Sequence, residues 1–267
     1  MTETLRVLSQ PFTWLGSALI FGARETRDFI LLVVETLICS VTPPYRIRDI
    51  VRQFYFIGNQ SAVIIAFCVC FAAMVTIIEA SFHMKLVIQN DTMVPGFAAL
   101  LILRELGSVV MALLITSRVG AGIAAEVGSM QVTEQIDALR MLGINPVRYI
   151  VAPRFVACLL AGFVLSIIAN LVCLLGAMVV STWKLGYTAG GFIAAMRTFV
   201  QFQDLIFASI KGAVFGAVIP LFSCFHGFRC RAGAEGVGLA TTNSVVATSI
   251  AIIILDFMLT YLFSQLY

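Results

Sequence analysis

Apolar residues in this chain gather into five long runs that are separated by shorter polar stretches. The runs cover approximately residues 58–80, 93–117, 155–182, 201–225 and 241–265. A helix needs about 20 predominantly apolar residues to cross a bilayer, and every run reaches that length. The pattern therefore predicts an all-α membrane protein in which residues 55–267 form one domain of five transmembrane helices.

Residues 1–54 differ from the rest because charges interrupt their apolar positions. The apolar core at 29–34 lies between charged residues, so neither side of it reaches spanning length. Amphipathic helices of this kind lie in the membrane interface, with Arg side chains and aromatic residues such as Trp14 at headgroup level. The alternative is a sixth, imperfect span over residues 18–41. The prolines of "TPPY" (residues 42–45) are expected to end the helix.

The composition agrees with a membrane protein. Hydrophobic residues make up 60% of the 267 residues and charged residues only 12%, whereas a soluble domain has about 25% charged residues. The net charge is +3 and the basic residues form no cluster, so we expect no nucleic acid partner. Most of the seven cysteines lie in apolar runs, and the spacing in "CFHGFRC" (residues 224–230) matches no zinc motif, so we expect no metal site.

Lysine and arginine are distributed unevenly between the two sides of the predicted spans. If residues 1–57 lie inside and the five spans alternate, twelve of the 17 basic residues face the cytoplasm. Lys85, Lys184 and Arg197 face the other side, and Arg104 and Lys211 lie within spans. Because cytoplasmic loops carry the excess of positive charge, the N-terminus is predicted to be cytoplasmic and the C-terminus to lie on the opposite side.

A polar, helix-forming stretch separates the second span from the third. Its residues "SMQVTEQIDALRMLG" (129–143) combine several apolar side chains with the signals of a short helix. Ser129 or Thr133 can cap the start of the helix, and Glu134 and Asp137 supply an acidic first turn. Arg140 supplies a basic last turn, and Gly143 is expected to end the helix. Two interpretations remain open on this pattern, a helix resting on the membrane surface and a docking helix for a soluble cytoplasmic partner.

The same stretch carries a longer motif that resembles a known family. The motif R-x-G-x-x-x-x-A-E-x-G-x-M-x-x-T-E-Q occupies Arg118, Gly120, Ala125, Glu126, Gly128, Met130, Thr133, Glu134 and Gln135. With "LLILRELGSVVMALLITS" before it and "GVGLATTNSVV" after it, the chain resembles the MlaE/YrbE family of ABC-transporter permeases. The resemblance runs from about residue 55 to the C-terminus, with the five spans in register.

This resemblance implies a function and several partners. The family's short helix docks on a cytoplasmic ABC ATPase, a role that would fall on Thr133, Glu134, Gln135, Asp137 and Arg140. The permeases are homodimers that work with an MCE-domain protein and move phospholipids or related lipids between a bacterial inner membrane and the outer envelope. Plastid relatives act at the inner envelope. The chain has no G-x-x-x-x-G-K-[ST] phosphate loop, so ATP and Mg²⁺ are expected on the ATPase subunit and not on this chain, which is not itself expected to be an enzyme.

Five ionisable residues are predicted to lie within or close to the spans, where charges are costly and usually face the protein interior. They are Arg104, Glu105, Asp204, Lys211 and Asp256. Similar depths favour a Lys211–Asp256 pair and a pairing of Arg104 with Glu105 or Asp256. An ion-pair network that fixes helix packing is one interpretation. A polar layer beneath a lipid cavity and a proton relay are the others.

Apolar residues of the first two spans are candidates for a lipid path. They are Phe67, Phe71, Met74, Ile78, Val94, Phe97 and Leu101, and the alternative at each position is ordinary bilayer-facing surface. Small residues in "GAGIAAEVG" and "GAVFGAV" predict close helix contacts, more simply within one subunit than between two.

Two other functions compete with a lipid permease. An ion-coupled secondary transporter would use the buried charges, but such folds often carry repeats and broken helices that this sequence does not show. An intramembrane enzyme would need a motif such as H-E-x-x-H or G-x-S-x-G, and neither occurs.

Overall fold

The computed structural model describes residues 2–43, 46–87, 94–231 and 233–266, without the side chains of residues 2–19, 21, 85–87 and 266. Every regular element in the described residues is helical. The described residues form ten α-helices in the order α1 (Thr2–Val41), α2 (Ile47–Val87), α3 (Val94–Leu101), α4 (Gly107–Ile115), α5 (Ala121–Val132), α6 (Gln135–Met141), α7 (Ala152–Trp183), α8 (Ala189–Phe199), α9 (Phe202–Phe228) and α10 (Ala234–Leu266). The same part of the chain contains three π-helical segments, Ile102–Leu106, Thr116–Gly120 and Val147–Val151.

In the part of the chain that the structure describes, five helices are long and apolar enough to cross a membrane, which agrees with the predicted number of spans. They are Ile47–Met84, Val94–Val132, Val147–Trp183, Phe202–Phe228 and Ala234–Gln265. Their lengths of 27 to 39 residues exceed the apolar runs, because the helices continue beyond each run into polar turns. The second span is one continuous helix from α3 to α5 that contains two π-helical segments.

The N-terminal segment forms a single helix, α1, and is not among the five candidate spans. It ends at Val41, directly before "TPPY", as predicted. Its interfacial position stays a prediction, and the side chain of Trp14 lies outside the described residues. The predicted boundary after residue 54 falls inside α2, which begins at Ile47.

Helix α7 is the centre of the bundle. It contacts α1, α2, α4, α8 and α9, and its polar Ser166 and Asn170 are buried. Ser166 Oγ and Ser108 Oγ both donate to the carbonyl of Ala208, at 2.9 and 3.0 Å. Spans two, three and four thus meet where these two hydroxyl groups bond the carbonyl of Ala208. By contrast, only 11% of the most apolar window of span five is buried, so this helix presents most of its surface to the bilayer or to another subunit.

Glycines bring α7 and α9 into close contact. A Cβ added at Gly216 would lie 2.3 Å from the Cys158 carbonyl oxygen and 3.1 Å from Gly162 Cα, and one added at Gly212 would lie 2.8 Å from the Gly162 oxygen. The contact confirms that the small residues of "GAVFGAV" pack within one subunit. Backbone approach of this kind is how small residues stabilise helix pairs in membranes.

Gly216→Ala is therefore expected to destabilise the protein by about 1–3 kcal/mol, because the methyl group overpacks a backbone contact that cannot give way locally. Gly58→Ala is the matched control, since nothing lies within 4 Å of a Cβ at that helical position. The midpoint of thermal unfolding in detergent measures both. Equal midpoints for the two variants would contradict the close α7–α9 contact.

One helix was not predicted from the sequence. Helix α8 lies between the third and fourth spans and packs against α3, with Phe192 only 1% exposed. Thr188 Oγ1 caps it by accepting the Gly191 N–H at 3.1 Å. Thr188 is a residue type that commonly caps helices, but the two glycines in the first turn of this short segment disfavour a helix and so argued against predicting one.

Candidate functional site

Lys211 is the centre of the charge cluster within the spans. Its side chain is 3% exposed, and Nζ lies 2.8 Å from Asp256 Oδ1 and 3.1 Å from both carboxylate oxygens of Glu105. Nζ also donates to the carbonyl of Arg104 at 2.9 Å and to Thr260 Oγ1 at 2.8 Å. The expected Lys211–Asp256 pair is thus present, and Glu105 joins it. One ammonium group holds spans two, four and five together.

The predicted partner of Arg104 was wrong. Its Nε donates to Asp204 Oδ1 at 2.7 Å, rather than to Glu105 or Asp256. Asp204 is 1% exposed and lies in the first turn of α9, where its Oδ2 accepts the Gln201 N–H at 2.8 Å as part of a capping box. The capping geometry fixes this carboxylate at the helix start, and Arg104 reaches it there. Depth along the helix axis thus predicted the Lys211–Asp256 pair but not the Arg104–Asp204 pair.

A π-helical segment carries both Arg104 and Glu105. In Ile102–Leu106 the Gly107 N–H donates to the carbonyl of Ile102, five residues earlier. Such single wide turns are frequent at functional sites. The adjacent residues Arg104 and Glu105 contact different partners, Asp204 on one side and Lys211 on the other. A cavity of about 50 Å³ lies beside them, well below the roughly 300–1,000 Å³ of ligand pockets. The cluster therefore holds helices together and does not by itself enclose a lipid.

The short polar helix between spans two and three is α6, and its start differs from the prediction. Residues 129–132 complete α5, and Thr133 Oγ1 donates back to the Ser129 carbonyl at 2.8 Å instead of capping α6. Glu134 then takes a left-handed conformation, with φ of 58° and ψ of 14°, directly before Gln135. It is the one non-glycine residue with positive φ in the part of the chain that the structure describes. Gly143, with φ of 74°, ends the segment as predicted.

The surface of α6 is largely exposed. Ile136 is fully buried and anchors the helix, whereas Met141 and Leu142 are 90% and 75% exposed. Asp137 and Arg140 pair with each other across one turn at 3.0 Å. Exposed large apolar residues beside charged ones at a helix end are typical of a contact surface for another molecule. We call the exposed residues 133–135, 137, 138 and 140–142 the coupling surface.

The loop after α6 is tied to the N-terminal helix. Asn145 Nδ2 donates to Glu35 Oε1 at 2.6 Å, and Arg148 donates to Thr42 Oγ1 at 2.7 Å. A groove of about 610 Å³ separates α1 from this loop. Arg229, after α9, pairs with Glu25 at 2.8 Å. Helix α1 thus touches both turns at the end of the bundle that carries α6, which we call the coupling end.

The other motif residues occupy the coupling end of span two. Glu126 pairs with Arg154 at 2.7 Å, and Arg154 is 6% exposed and also donates to the carbonyl of Ile150. Arg118, in the second π-helical segment, donates to the carbonyl of Gln60 on α2. A Cβ added at Gly120 would lie 3.3 Å from the nearest side-chain atoms, and one added at Gly128 would lie 3.5 Å from those nearest to it. The motif therefore joins spans one, two and three.

The seven lipid-path candidates do not form one surface. Val94 is fully buried, whereas Phe67 and Phe71 are 65% and 54% exposed and their ring centroids lie 4.8 Å apart. Ile78, Phe97 and Leu101 are exposed to a smaller degree, and Met74 is half-buried. In the described residues no group of His, Cys, Asp and Glu side chains is placed to hold a metal ion.

Comparison with known proteins places these features in a family. The sequence model of the family described as "Permease MlaE" matches residues 50–262. The chain is 32% identical to a probable ABC transporter permease of Rickettsia conorii over 93% of its own length and 95% of the relative's. It is 35% identical to the intermembrane phospholipid transport system permease protein MlaE of Haemophilus influenzae, over 79% of its own length and 81% of the relative's. The chloroplastic protein TRIGALACTOSYLDIACYLGLYCEROL 1 of Arabidopsis thaliana is 36% identical over 64% of this chain and 49% of that protein.

The family match covers most of the chain, including the charge cluster, the motif and α6. Together with five candidate spans, it identifies the chain as a multi-pass membrane protein, an ABC transporter permease that belongs to the MlaE family.

Proposed function

We propose that this permease moves phospholipid or a related lipid between an inner membrane and the outer envelope, driven by an ATPase on a separate subunit. The coupling surface carries this proposal, because the buried Ile136 anchors it at the end of span two while Met141, Leu142 and Glu134 are exposed to a partner. The lipid assignment is supported by the Haemophilus influenzae relative, which is named as a phospholipid transport permease. ATP and Mg²⁺ are assigned to the partner, since this chain has no phosphate loop.

The proposed assembly is a homodimer with one ATPase at each coupling surface and an MCE-domain protein on the opposite side of the membrane. The largely unburied surface of span five supports a contact with a second copy, and isologous contacts are the common way for a homodimer to close. A bacterial inner membrane with a cytoplasmic N-terminus fits the distribution of Lys and Arg.

The charge cluster is proposed to transmit movement between spans. Lys211 joins spans two, four and five, and Arg104 adds a contact with the start of α9. A change at the coupling surface moves the end of span two, and the ionic contacts carry that movement to spans four and five. A polar layer of this kind can be structural and also reorganise between states.

The test is lipid transfer in proteoliposomes that contain the permease, its ATPase and the MCE-domain protein. Fluorescent phospholipid should move between membranes with ATP and not with a non-hydrolysable analogue. Transfer that follows an imposed proton or sodium gradient in the absence of ATP would contradict the proposal and favour the ion-coupled transporter.

A further inference from the structure

Two adjoining cavities open at the coupling end of spans one, two and three. The larger, of about 570 Å³, lies between the start of α2, the end of α5 and the start of α7. The smaller, of about 190 Å³, continues along span two. Gln53, Phe56 and Glu126 line both, so the two form one cleft. It lies at the opposite ends of spans one and two from the predicted lipid path and contains no member of the charge cluster.

The cleft has an excess of positive charge. Of the residues that the structure describes, four arginines and two carboxylates line it, and each carboxylate already has an arginine partner. Asp49 pairs with Arg46 at 2.7 Å, and Glu126 pairs with Arg154 at 2.7 Å. The two remaining guanidinium groups, those of Arg52 and Arg118, form no ion pair within the described residues. The formal charge of the described lining side chains is thus +2, by four arginines less two carboxylates.

The free guanidinium groups have unused donors. Arg52 makes no side-chain hydrogen bond to any residue that the structure describes, and Arg118 donates only to the carbonyl of Gln60 among them. Arg154 at the floor is 6% exposed, and its Nε has no partner in the described part of the chain. Guanidinium groups bind phosphate oxygens through paired, charge-assisted hydrogen bonds. The cleft therefore offers an anion both charge and donors.

Apolar side chains beside these donors separate a lipid from a soluble anion. Tyr55 and Phe56 are 67% and 52% exposed along the cleft, and Met130 and Pro153 also line it. A small soluble anion has no apolar surface to bury against these side chains, whereas the glycerol backbone and first acyl carbons of a lipid gain free energy by such burial. All of these residues lie at the ends of spans, where lipid headgroups lie.

We propose that this cleft binds the phosphate headgroup of an anionic phospholipid from the leaflet on the coupling side. Arg52 and Arg118 hold the phosphate, Arg154 with its neighbour Glu126 forms the floor, and the aromatic side chains of α2 contact the glycerol and upper acyl chain. This binding needs neither ATP nor a partner subunit. The site can thus exist even if the chain transports no lipid, and transport can occur if the site fails.

The test is native mass spectrometry of the purified full-length permease with dioctanoyl phosphatidylglycerol added in detergent. Arg52→Gln with Arg118→Gln is expected to weaken binding about tenfold or more, since each removes a charge-assisted contact to phosphate. Arg48→Gln is the matched control, because Arg48 is an exposed arginine on the same helix that does not line the cleft and pairs with no described residue. Equal weakening in the control, or none in the double variant, would overturn the proposal.

Two further measurements distinguish the source of the anion and guard against misfolding. Glycerol 1-phosphate should compete poorly, and dioctanoyl phosphatidylcholine should bind more weakly than the anionic lipid. Competition by glycerol 1-phosphate at the lipid's own affinity would show a site for soluble anions and refute the lipid assignment. Arg52→Gln alone removes no ion pair or side-chain hydrogen bond among the described residues, so the variant is expected to fold and should still weaken binding severalfold. Unchanged binding in this variant would also refute the proposal.

Discussion

Lys211→Ala should destabilise the permease by about 3–5 kcal/mol, the cost of removing one partner from a buried ionic group. The side chain is 3% exposed and is the cation shared by Glu105 and Asp256. Without it, two carboxylates face each other in an apolar environment. Lys184→Ala is the matched control, because Lys184 is exposed at the end of α7 and pairs with no described residue. The midpoint of thermal unfolding in detergent measures both variants.

Asp256→Asn should partly rescue Lys211→Ala, since it removes one of the two unpaired charges. The rescue is partial because Glu105, which accepts from Lys211 at 3.1 Å with both oxygens, stays charged and unpaired. A double-mutant cycle over these positions gives the interaction energy directly. Strictly additive effects of Lys211→Ala and Asp256→Asn would show that these two side chains do not interact, which contradicts the ion pair.

Glu134→Lys should release the ATPase while the permease stays folded. Glu134 is exposed in the coupling surface and is held by the left-handed turn that joins α5 to α6. Charge reversal within a docked surface costs several kcal/mol through repulsion and a lost partner, so at least about tenfold less ATPase should accompany the tagged permease. The ratio of the two subunits after affinity purification measures this.

Two variants separate the side chain of Glu134 from its backbone conformation. Glu134→Gly suits a φ of 58° without strain, so it should preserve the turn and lose only the side chain's contacts, giving an intermediate loss of ATPase. Glu235→Lys reverses an exposed charge at the start of α10, also at the coupling end, and should retain the ATPase in full. Full ATPase content with Glu134→Lys would show that α6 is not the docking helix.

The sequence was informative where one physical effect dominates. The five spans follow from the length of the apolar runs alone. The Lys211–Asp256 pair follows from two opposite charges at similar depth in a bilayer, where an unpaired charge is costly. The break at "TPPY" follows from proline chemistry, and the stop at Gly143 from the freedom of glycine.

Features that depend on contacts between helices could not be predicted in this way. The π-helical turn at Ile102–Leu106 and the Arg104–Asp204 pair depend on how span two packs against α9. The Glu126–Arg154 pair joins helices whose relative rotation no periodicity gives. Glu134 carries no signal for a left-handed turn, because acidic residues there favour a helix start. The cleft around Arg52 and Arg118 likewise requires three spans to be placed together.

The central claim, that this permease works through a separate ATPase docked on α6, is tested most directly by affinity purification of the tagged chain from its native membrane in detergent. Mass spectrometry should then find a P-loop ATPase and an MCE-domain protein in stoichiometric amounts. A chain that is recovered alone, as a dimer, under conditions that keep membrane complexes intact would contradict the claim. Helix α6 would then be a surface helix, and the charge cluster of Lys211 would become the evidence for an ion-coupled carrier.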